Sequence, residues 1–173
     1  QVRIAMVTTS RNFGPQLVHR FQVRCPEAAV EMHIANREGV IARLQEGKAD
    51  IALMGRPPRR IKVVAQPFAI HPYVLICHPE HPLRRFRRIR PEDLARCRFL
   101  VREPGSGTRM VHEHFFKDAG LPLPEAQEMD SNANIMQAVM ADMGLAFISA
   151  HTVALERSAG KLHLLSVDGM PQL

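Results

Sequence analysis

The first 54 residues alternate β-rich and helical segments, and this alternation constrains the fold more than any other feature of the sequence. β-rich sequence covers residues 2–9 and 29–35, and residues 51–54 form an uninterrupted apolar run, which is typical of a strand buried on both faces. Between these segments, one helix is predicted to start at Pro15 and another to be capped by Asn36. The β-α-β-α-β order predicts a parallel sheet with right-handed crossovers.

The rest of the chain predicts a second α/β unit, which is reached through a proline-rich segment. Residues 61–68 and 73–77 are two extended pieces separated by His71-Pro72, a pattern typical of a chain that crosses between lobes. Further strands and helices are predicted from the spacing of apolar residues. They are strands at 99–101, 126–129, 145–148 and 162–165, and helices at 108–119, 132–143 and 153–158.

The predicted fold class is therefore α/β, with two Rossmann-like lobes joined by two crossover strands. Residues 1–70 and 150–173 are assigned to the first lobe, because the last strand is expected to return there, and residues 71–149 to the second. Two lobes joined in this way make a cleft, and ligands of open parallel sheets sit outside the carboxyl ends of the strands. The sequence therefore predicts a ligand site between the lobes.

Composition limits the class of protein. With 46% hydrophobic and 23% charged residues, the 173-residue chain can bury a core and is not expected to be disordered. No run of about 18 apolar residues is present, which excludes a transmembrane helix. Three widely spaced cysteines without a CxxC pair argue against a disulfide framework or a zinc site and favour a reducing, cytoplasmic compartment. The nine histidines form no metal-binding pattern, and no cofactor is predicted.

The formal net charge of +6 leaves a nucleic-acid partner open. Five arginines lie within seven residues: Arg84, Arg85, Arg87, Arg88 and Arg90. The simpler interpretation is a solvated basic loop, and the alternative is a surface that touches a phosphate backbone. The absence of tryptophan and the single tyrosine argue against a single-strand binding surface, which needs aromatic rings for stacking.

The segment at residues 101–109 predicts a binding site for an anion. It combines a strand end, a turn with two glycines and the first turn of a helix, where unpaired N–H groups meet the positive end of the helix dipole. Ser106 and Thr108 add hydroxyl groups, and the turn at Thr8–Ser10 follows the first strand in a similar way. Two such helix starts would suit a ligand with two anionic groups. The alternative is that these hydroxyls only cap helices.

Three segments, taken together, resemble the effector-binding domain of LysR-type transcriptional regulators. They are IALMGRPP at 51–58, LVREPGSGTR at 100–109 and DSNANIMQAVMADMGLAFIS at 130–149. The GRPP and REPGSGTR forms are similar to the CbbR-type branch, which regulates the RuBisCO operon and the Calvin cycle. The resemblance covers essentially the whole chain.

The resemblance implies a fold like that of type 2 periplasmic binding proteins and a cytoplasmic full-length regulator. It also implies an N-terminal winged helix-turn-helix that binds promoter DNA and that this chain lacks, so the chain is expected to sense an effector and to dimerise. Family effectors are phosphorylated metabolites and nucleotides, such as sugar bisphosphates, phosphoenolpyruvate, ATP or NADPH. At Ala133 and Met136 the branch usually has an acidic residue and a lysine, so a different or weaker ligand is expected.

The resemblance and the anion argument together select ten effector-binding positions. They are Thr8, Thr9, Ser10, Arg56, Arg102, Glu103, Ser106, Gly107, Thr108 and Asn132. Each has a simpler alternative, which is helix capping for the hydroxyls and Asn132, a hinge turn at Arg56, and a surface role for Arg102. The family also pairs two domains antiparallel, with the first helix of one against the other lobe of its partner. This pairing implies interface residues Leu17, Val18, Phe21, Val111 and Phe115 in a homodimer, and a tetramer for the full-length regulator.

Two other classes of function are less consistent with the sequence. A periplasmic solute-binding protein for a small anion would share the fold, and a chain that starts at Gln1 without methionine leaves a removed signal peptide open. The basic composition and unpaired cysteines argue against it. An enzyme is not predicted, because the GxSxG motif is absent and no acid/base pair occurs at close spacing.

Overall fold

The fold is described from a computed structural model that places residues 1–170. The chain divides into two compact units, the first covering Gln1–Ile70 and the second starting at His71. The predicted boundary between the lobes near residue 70 agrees with this division.

The first unit is a small parallel α/β fold, as the alternation of its segments predicts. Its elements are β1 (Val2–Val7), α1 (Gly14–Arg24), β2 (Val30–Ala35), α2 (Arg37–Gln45) and β3 (Ile51–Leu53). Strand β1 lies in the centre, and β2 and β3 flank it in parallel, in the order β2-β1-β3. The carboxyl ends of all three strands therefore meet at one edge of the sheet.

Apolar side chains of α2 cover one face of this sheet. Val40 of α2 is buried with Ala5 of β1 and Ala49 in one cluster. The helix starts where predicted, because the side-chain oxygen of Asn36 accepts a hydrogen bond from the Gly39 N–H at 3.0 Å. Pro15 lies in the first turn of α1, where its missing N–H has no cost.

The predicted extended piece at residues 61–68 is not a strand. Within residues 1–170 it pairs with no strand, and residues 62–70 are exposed. The physical reason is that backbone N–H groups need partners for a sheet, and apolar sequence alone does not supply them. The regular strand of this region begins at Tyr73, after Pro72.

The second unit is built on strands that run in both directions. Its elements are β4 (Tyr73–Cys77), α3 (Pro91–Leu94), β5 (Phe99–Arg102), α4 (Gly107–Asp118), β6 (Ala126–Met129), α5 (Asn132–Met140), β7 (Ala146–Ser149), α6 (Ala154–Ser158) and β8 (His163–Leu165). Strand β4 is the centre of an antiparallel sheet in the order β7-β4-β8, and β5 pairs with β6 in parallel. A parallel bridge between Phe99 and Leu145 joins the two sheets.

The assignment of residues 150–173 to the first lobe was wrong for the part that the structure describes. Strand β8 pairs antiparallel with β4, with Leu165 opposite Leu75. Leu162, Leu165 and Val167 bury their side chains in the apolar clusters of the second unit, which holds the segment there. The predicted second crossover is therefore absent from residues 71–170, and residues 171–173 of that prediction lie outside the described residues.

Two apolar clusters cover the opposite faces of the second unit. Phe147 of β7 packs with Phe99 and Phe116 on one face, whereas Ile148 packs with Ile135 of α5 on the other. Successive strand residues point to opposite faces, so an unbroken apolar strand has both faces covered by helices.

Two of the three cysteines belong to this second unit, and they differ from the third in exposure. Cys77 is buried and burial raises its pKa to about 11, whereas Cys25 at the end of α1 is exposed. Cys97 is half-buried, and burial raises the pKa of its thiol too. None of the three forms a disulfide.

Candidate functional site

Two helices of the second unit start from the same edge of its parallel strand pair. Strands β5 and β6 run in register, with Arg102 opposite Met129 at their carboxyl ends. Helix α4 follows β5 from Gly107, and helix α5 follows β6 from Asn132. We call these two helix starts and the turn before α4 the helix-start site. Both starts present N–H groups and positive dipole ends, the arrangement that binds anions in many proteins.

The turn before α4 has a defined geometry. The Ser106 N–H donates to the Glu103 carbonyl at 3.2 Å, and Gly105 lies between them with a φ of 89°. This left-handed conformation is open to glycine without strain. Ser106 is the N-cap of α4, and its hydroxyl oxygen accepts a hydrogen bond from the Thr108 N–H at 3.2 Å. Capping by Ser106 is thus confirmed, and its role in binding an effector stays a prediction.

Arg102, the last residue of β5, is buried with only 2% of its surface exposed. Its Nε and Nη2 donate to the two carboxylate oxygens of Glu103 at 2.8 and 2.6 Å, which is a two-point pairing. Its Nη1 donates to the side-chain oxygen of Asn132 at 2.7 Å. The simpler interpretation of Arg102 as a surface residue is therefore wrong, because the guanidinium lies inside the helix-start site.

Arg109 joins the same region from the first turn of α4. Its guanidinium donates to Glu113 at 2.8 Å, to Glu128 of β6 at 3.0 Å and to the carbonyl of Arg102 at 2.9 Å. The hydrogen bond to Glu113 is the main cause of the raised pKa of Arg109. Arg109 thus connects α4 to the ends of β5 and β6.

The start of α5 differs in detail from its prediction. The N-cap is Ser131, whose hydroxyl oxygen accepts from the Asn134 N–H at 3.1 Å. Asn132 is instead the first helical residue, and its side chain is held by Arg102. The prediction that Asn132 caps its helix was wrong, because the preceding serine takes that position.

The corresponding turn of the first unit is shaped differently. Thr8–Asn12 forms a 3-10 helix directly after β1, and Thr9 and Ser10 are buried, 4% and 3% exposed. Neither this turn nor α1 has a side-chain cap, since Val7 and Phe13 occupy the N-cap positions. The capping interpretation is thus wrong for these hydroxyls, and effector binding by Thr8, Thr9 and Ser10 stays a prediction.

Arg56 lies on the coil that follows β3, in the first unit. Because β1 and β3 are parallel neighbours, this coil and the Thr8–Asn12 turn leave the same edge of the sheet. Arg56 is exposed, and its carbonyl oxygen accepts a hydrogen bond from Arg37 at 2.7 Å. The site predicted between the two lobes remains a prediction.

The predicted dimer residues fall into three groups. Leu17 and Phe21 of α1 are exposed, whereas Val18 is buried in its own unit at 5% exposure. Val111 and Phe115 of α4 are half-buried against the core of the second unit. Val18 is therefore unsuited to an interface, because its side chain is already covered.

Sequence reasoning missed two buried hydroxyl groups at the end of β7. Ser149 Oγ and Thr152 Oγ1 are buried and have no hydrogen-bond partner in the structure. The parallel bridge from β7 to β5 puts Ser149 on the same edge as the helix-start site. A polar residue directly after three apolar strand residues is the signal that could have found Ser149.

His112 is another buried polar residue, and it lies in the aromatic core. It is 4% exposed, and its ring contacts Phe99, Phe116 and Phe147. Burial lowers its pKa to about 4, so the imidazole is neutral near pH 7.

The basic loop is partly neutralised by neighbouring groups. Arg88 pairs with Asp168 at 2.7 Å, and Arg84 donates to the carbonyl of Pro79 at 2.7 Å. An open hollow of about 630 Å³ lies here, away from the helix-start site, lined by Pro79, Glu80, His81, Arg84 and Arg85. These contacts favour the solvated-loop interpretation over a phosphate-backbone surface.

Residues 1–170 contain no cluster of three or more histidine, cysteine or acidic side chains placed to hold a metal ion. Their longest helix, α4, has 12 residues, and none combines the length and apolar character needed to cross a membrane.

Curated relatives were found over nearly the whole chain. It is 44% identical over 172 residues to the HTH-type transcriptional regulator CbbR of Xanthobacter flavus, covering 98% of this chain and 52% of that protein. It is 36% identical to the RuBisCO operon transcriptional regulator of Acidithiobacillus ferrooxidans, covering 98% and 55%. The chain thus spans about half the length of these two curated relatives, both of which are named as transcriptional regulators.

Solved structures show the same fold. The regulatory domain of Synechocystis PCC6803 CcmR, solved in complex with 2-PG, superposes with a TM-score of 0.91 at 32% identity, covering 98% of this chain and 82% of that one. The effector-binding domain of QuiR in complex with shikimate gives 0.81 at 16% identity, covering 99% and 82%. The fold predicted from the LysR resemblance, that of type 2 periplasmic binding proteins, is confirmed. Because the family model described as LysR substrate binding domain matches residues 1–172, this chain belongs to that family.

Proposed function

We propose that this chain is the effector-sensing domain of a LysR-type transcriptional regulator that controls carbon-fixation genes and binds a phosphorylated or otherwise anionic metabolite. The observation that carries the proposal is the helix-start site, where α4 and α5 begin side by side next to the buried polar groups of Arg102, Ser106 and Asn132. The names of the RuBisCO operon relatives support the regulated genes. The similar CcmR domain in complex with 2-PG, 2-phosphoglycolate, supports a phosphorylated ligand.

The helix-start site can bind an anion through neutral hydrogen-bond donors, which are backbone N–H groups and a hydroxyl group. A helix start stabilises a nearby negative charge by about 0.3–1 kcal/mol when exposed and up to about 2 kcal/mol when partly buried. Two helix starts with their N–H groups and the Thr108 hydroxyl can together supply several kcal/mol, and a millimolar dissociation constant corresponds to about 4 kcal/mol. This is a range suited to sensing a metabolite that is present at high concentration.

Binding becomes a signal only when it favours one arrangement of the domain over another. A ligand that binds one state about tenfold better shifts the ratio of the two states tenfold, a difference of about 1.4 kcal/mol. In the regulator, this shift would pass through a homodimer or homotetramer to a winged helix-turn-helix on promoter DNA. Leu17 and Phe21 of α1, with Val111 and Phe115 of α4, are the residues that we propose for the dimer contact.

We propose a sensor and not an enzyme. Ser106 caps α4, and its oxygen already accepts a hydrogen bond from the Thr108 N–H, which is a geometry for capping and binding and not for nucleophilic attack.

The same proposal puts the domain in the cytoplasm, where promoter DNA is found. The periplasmic alternative has less support, because these curated relatives are named as HTH-type transcriptional regulators. Sequence upstream of Gln1 that encodes a winged helix-turn-helix would support the regulator, and a secretion signal would contradict it.

Calorimetric titration tests the ligand class. We expect heat on titration with 2-phosphoglycolate, a sugar bisphosphate or phosphoenolpyruvate, and none with glycolate, which lacks the phosphate.

Ser106→Ala should weaken binding about five- to tenfold, because it removes a cap and a polar group of the site. Ser158→Ala is the matched control, since its hydroxyl bonds only within the exposed helix α6. Silence with all phosphorylated ligands at millimolar concentration would contradict the proposal.

A further inference from the structure

We infer that Arg102 is a positioning residue that locks the starts of α4 and α5 to each other, and that it does not bind the effector as a free cation. We call Arg102, Glu103 and Asn132 the Arg102 bridge. The inference concerns how the helix-start site is built, and its consequence for ligand binding rests on the proposed function.

The bridge reaches both helix starts from one residue. On the side-chain end, Nη1 of Arg102 donates to Asn132, the first residue of α5, at 2.7 Å. On the backbone end, the Arg102 carbonyl accepts from Arg109 in the first turn of α4 at 2.9 Å. Arg102 therefore holds α5 through Asn132, 30 residues away in sequence, and α4 through Arg109, seven residues away.

The charge of the bridge is already balanced. A buried guanidinium has a large desolvation cost unless an anion and good hydrogen bonds compensate it. Glu103 provides both, since its carboxylate receives Nε and Nη2 of Arg102 in a two-point pairing at 2.8 and 2.6 Å. The Glu103 side chain is 27% exposed and that of Arg102 is 2% exposed, so the carboxylate and not the guanidinium faces the solvent.

The burial and pairing of Arg102 distinguish it from an exposed, unpaired surface arginine, whose guanidinium can bind a phosphate directly. An effector anion that approached the Nε–Nη2 edge of the guanidinium would have to displace Glu103, which would leave a carboxylate beside the incoming negative charge. Binding through the N–H groups of α4 and α5 needs no such exchange. The bridge instead holds the two helix starts at a fixed separation, so a single anion can use both.

Hydrogen–deuterium exchange measures the positioning role directly and needs no ligand. Arg102→Lys keeps the charge but loses the planar fork that pairs with Glu103 and reaches Asn132. We expect the hydrogen-bonded amides at the start of α5, those of Asn134 and Ile135, to exchange about tenfold faster. All of α4 and the whole first unit should be unchanged, because the Arg102 carbonyl that accepts from Arg109 is still present. Arg98→Lys is the control, because Arg98 pairs with Glu125 in an exposed position of the same unit. Unchanged exchange at the start of α5, or uniform loosening of the whole second unit, would overturn the inference.

Ligand affinities distinguish a positioning role of Arg102 from direct contact between its guanidinium and the ligand. In Arg102→Lys we expect affinities for 2-phosphoglycolate and for singly charged phosphate esters to fall by the same factor, about tenfold. A selective loss for the more highly charged ligand would show that the guanidinium binds the anion directly, and would overturn the inference. If the wild-type chain binds none of these ligands, the proposed function fails while the exchange result still decides the role of Arg102.

A milder variant covers the case in which Arg102→Lys does not fold. Asn132→Ala removes one hydrogen bond of the bridge and leaves the Arg102–Glu103 pair in place. We expect faster exchange at the start of α5 alone, with α4 unchanged. Equal loosening at both helix starts, or no change at either, would contradict the bridge as described.

Discussion

The two units use the same strand-turn-helix pattern with a different balance of charge. The first unit has 11 basic and five acidic residues, so it carries the whole net charge of +6, whereas the second unit has 12 of each. In the second unit the charges at the turn are paired, as in the buried Arg102 with the partly exposed Glu103. In the first unit the turn after β1 is lined by buried hydroxyls, and arginines such as Arg11 and Arg56 are exposed.

This difference teaches that one local pattern can produce two kinds of turn. The Glu103–Ser106 turn is fixed by a cap, a left-handed glycine and a paired arginine. The Thr8–Asn12 turn has no side-chain cap, and the charge around it is available to attract anions over a distance. Three tests compare the units more closely.

The largest expected difference concerns core packing. Phe147→Ala should lower the free energy of unfolding of the second unit by about 3–5 kcal/mol, because Phe147 packs against Phe99 and Phe115 in a large cluster. Val40→Ala in the smaller cluster of the first unit should have a smaller effect of about 1–3 kcal/mol. Urea denaturation followed by circular dichroism measures both. Equal losses would contradict the expected difference between the two clusters.

Acid should destabilise the second unit through His112. Above pH 6.5 its imidazole is neutral in the folded and unfolded chain, and between pH 6.5 and about 4 only the unfolded chain takes up the proton. Stability is therefore full at neutral pH and falls as the pH drops through this window, by about 3 kcal/mol for a shift of this size.

The matched variant for the acid test is His112→Leu. In this variant the free energy of unfolding, measured from pH 7 to 4, should depend less on pH, by about one bound proton. A wild-type slope that survives in His112→Leu would assign the acid sensitivity to other histidines, such as His71, whose pKa burial also lowers.

The smallest difference concerns the helix caps. Asn36→Ala in the first unit and Ser131→Ala in the second each remove a side-chain cap, at a cost of about 1 kcal/mol. Only Ser131→Ala should also weaken the binding of 2-phosphoglycolate, because α5 belongs to the helix-start site. Thermal unfolding and calorimetry on both variants make the comparison, and a matching loss of affinity in Asn36→Ala would contradict it.

Much of the fold could be predicted from the sequence because its signals are local. The strands of the first unit, the helix capped by Asn36 and the turn at Gly105 depend on residues that are close together in the chain. The partner of β8 could not be predicted, since a three-residue strand carries no information about which sheet it joins. The extended piece at 61–68 was misleading for the same reason, because apolar sequence does not show whether a hydrogen-bonding partner exists.

The candidate site was predicted as a set of residues and not as a set of contacts. The sequence indicated Arg102, Glu103 and Asn132, but the burial of an arginine depends on a partner 30 residues away that only the fold brings close. Ser131 and Asn132 are both good capping residues, so the pattern did not distinguish which one caps α5. Ser149 has only a weak local signal, a polar residue after three apolar strand residues, and the burial of its hydroxyl and that of Thr152 without partners is known only from the structure.

The unequal exposure of the cysteines gives the chain a natural site for chemical labelling. A maleimide reacts with a thiolate, so Cys25 on the exposed end of α1 should react first, while Cys77 is both covered and held as a thiol. A single fluorophore could thus be placed on the first unit without changing the sequence. Its emission during a titration would report from a unit other than the one that carries the helix-start site.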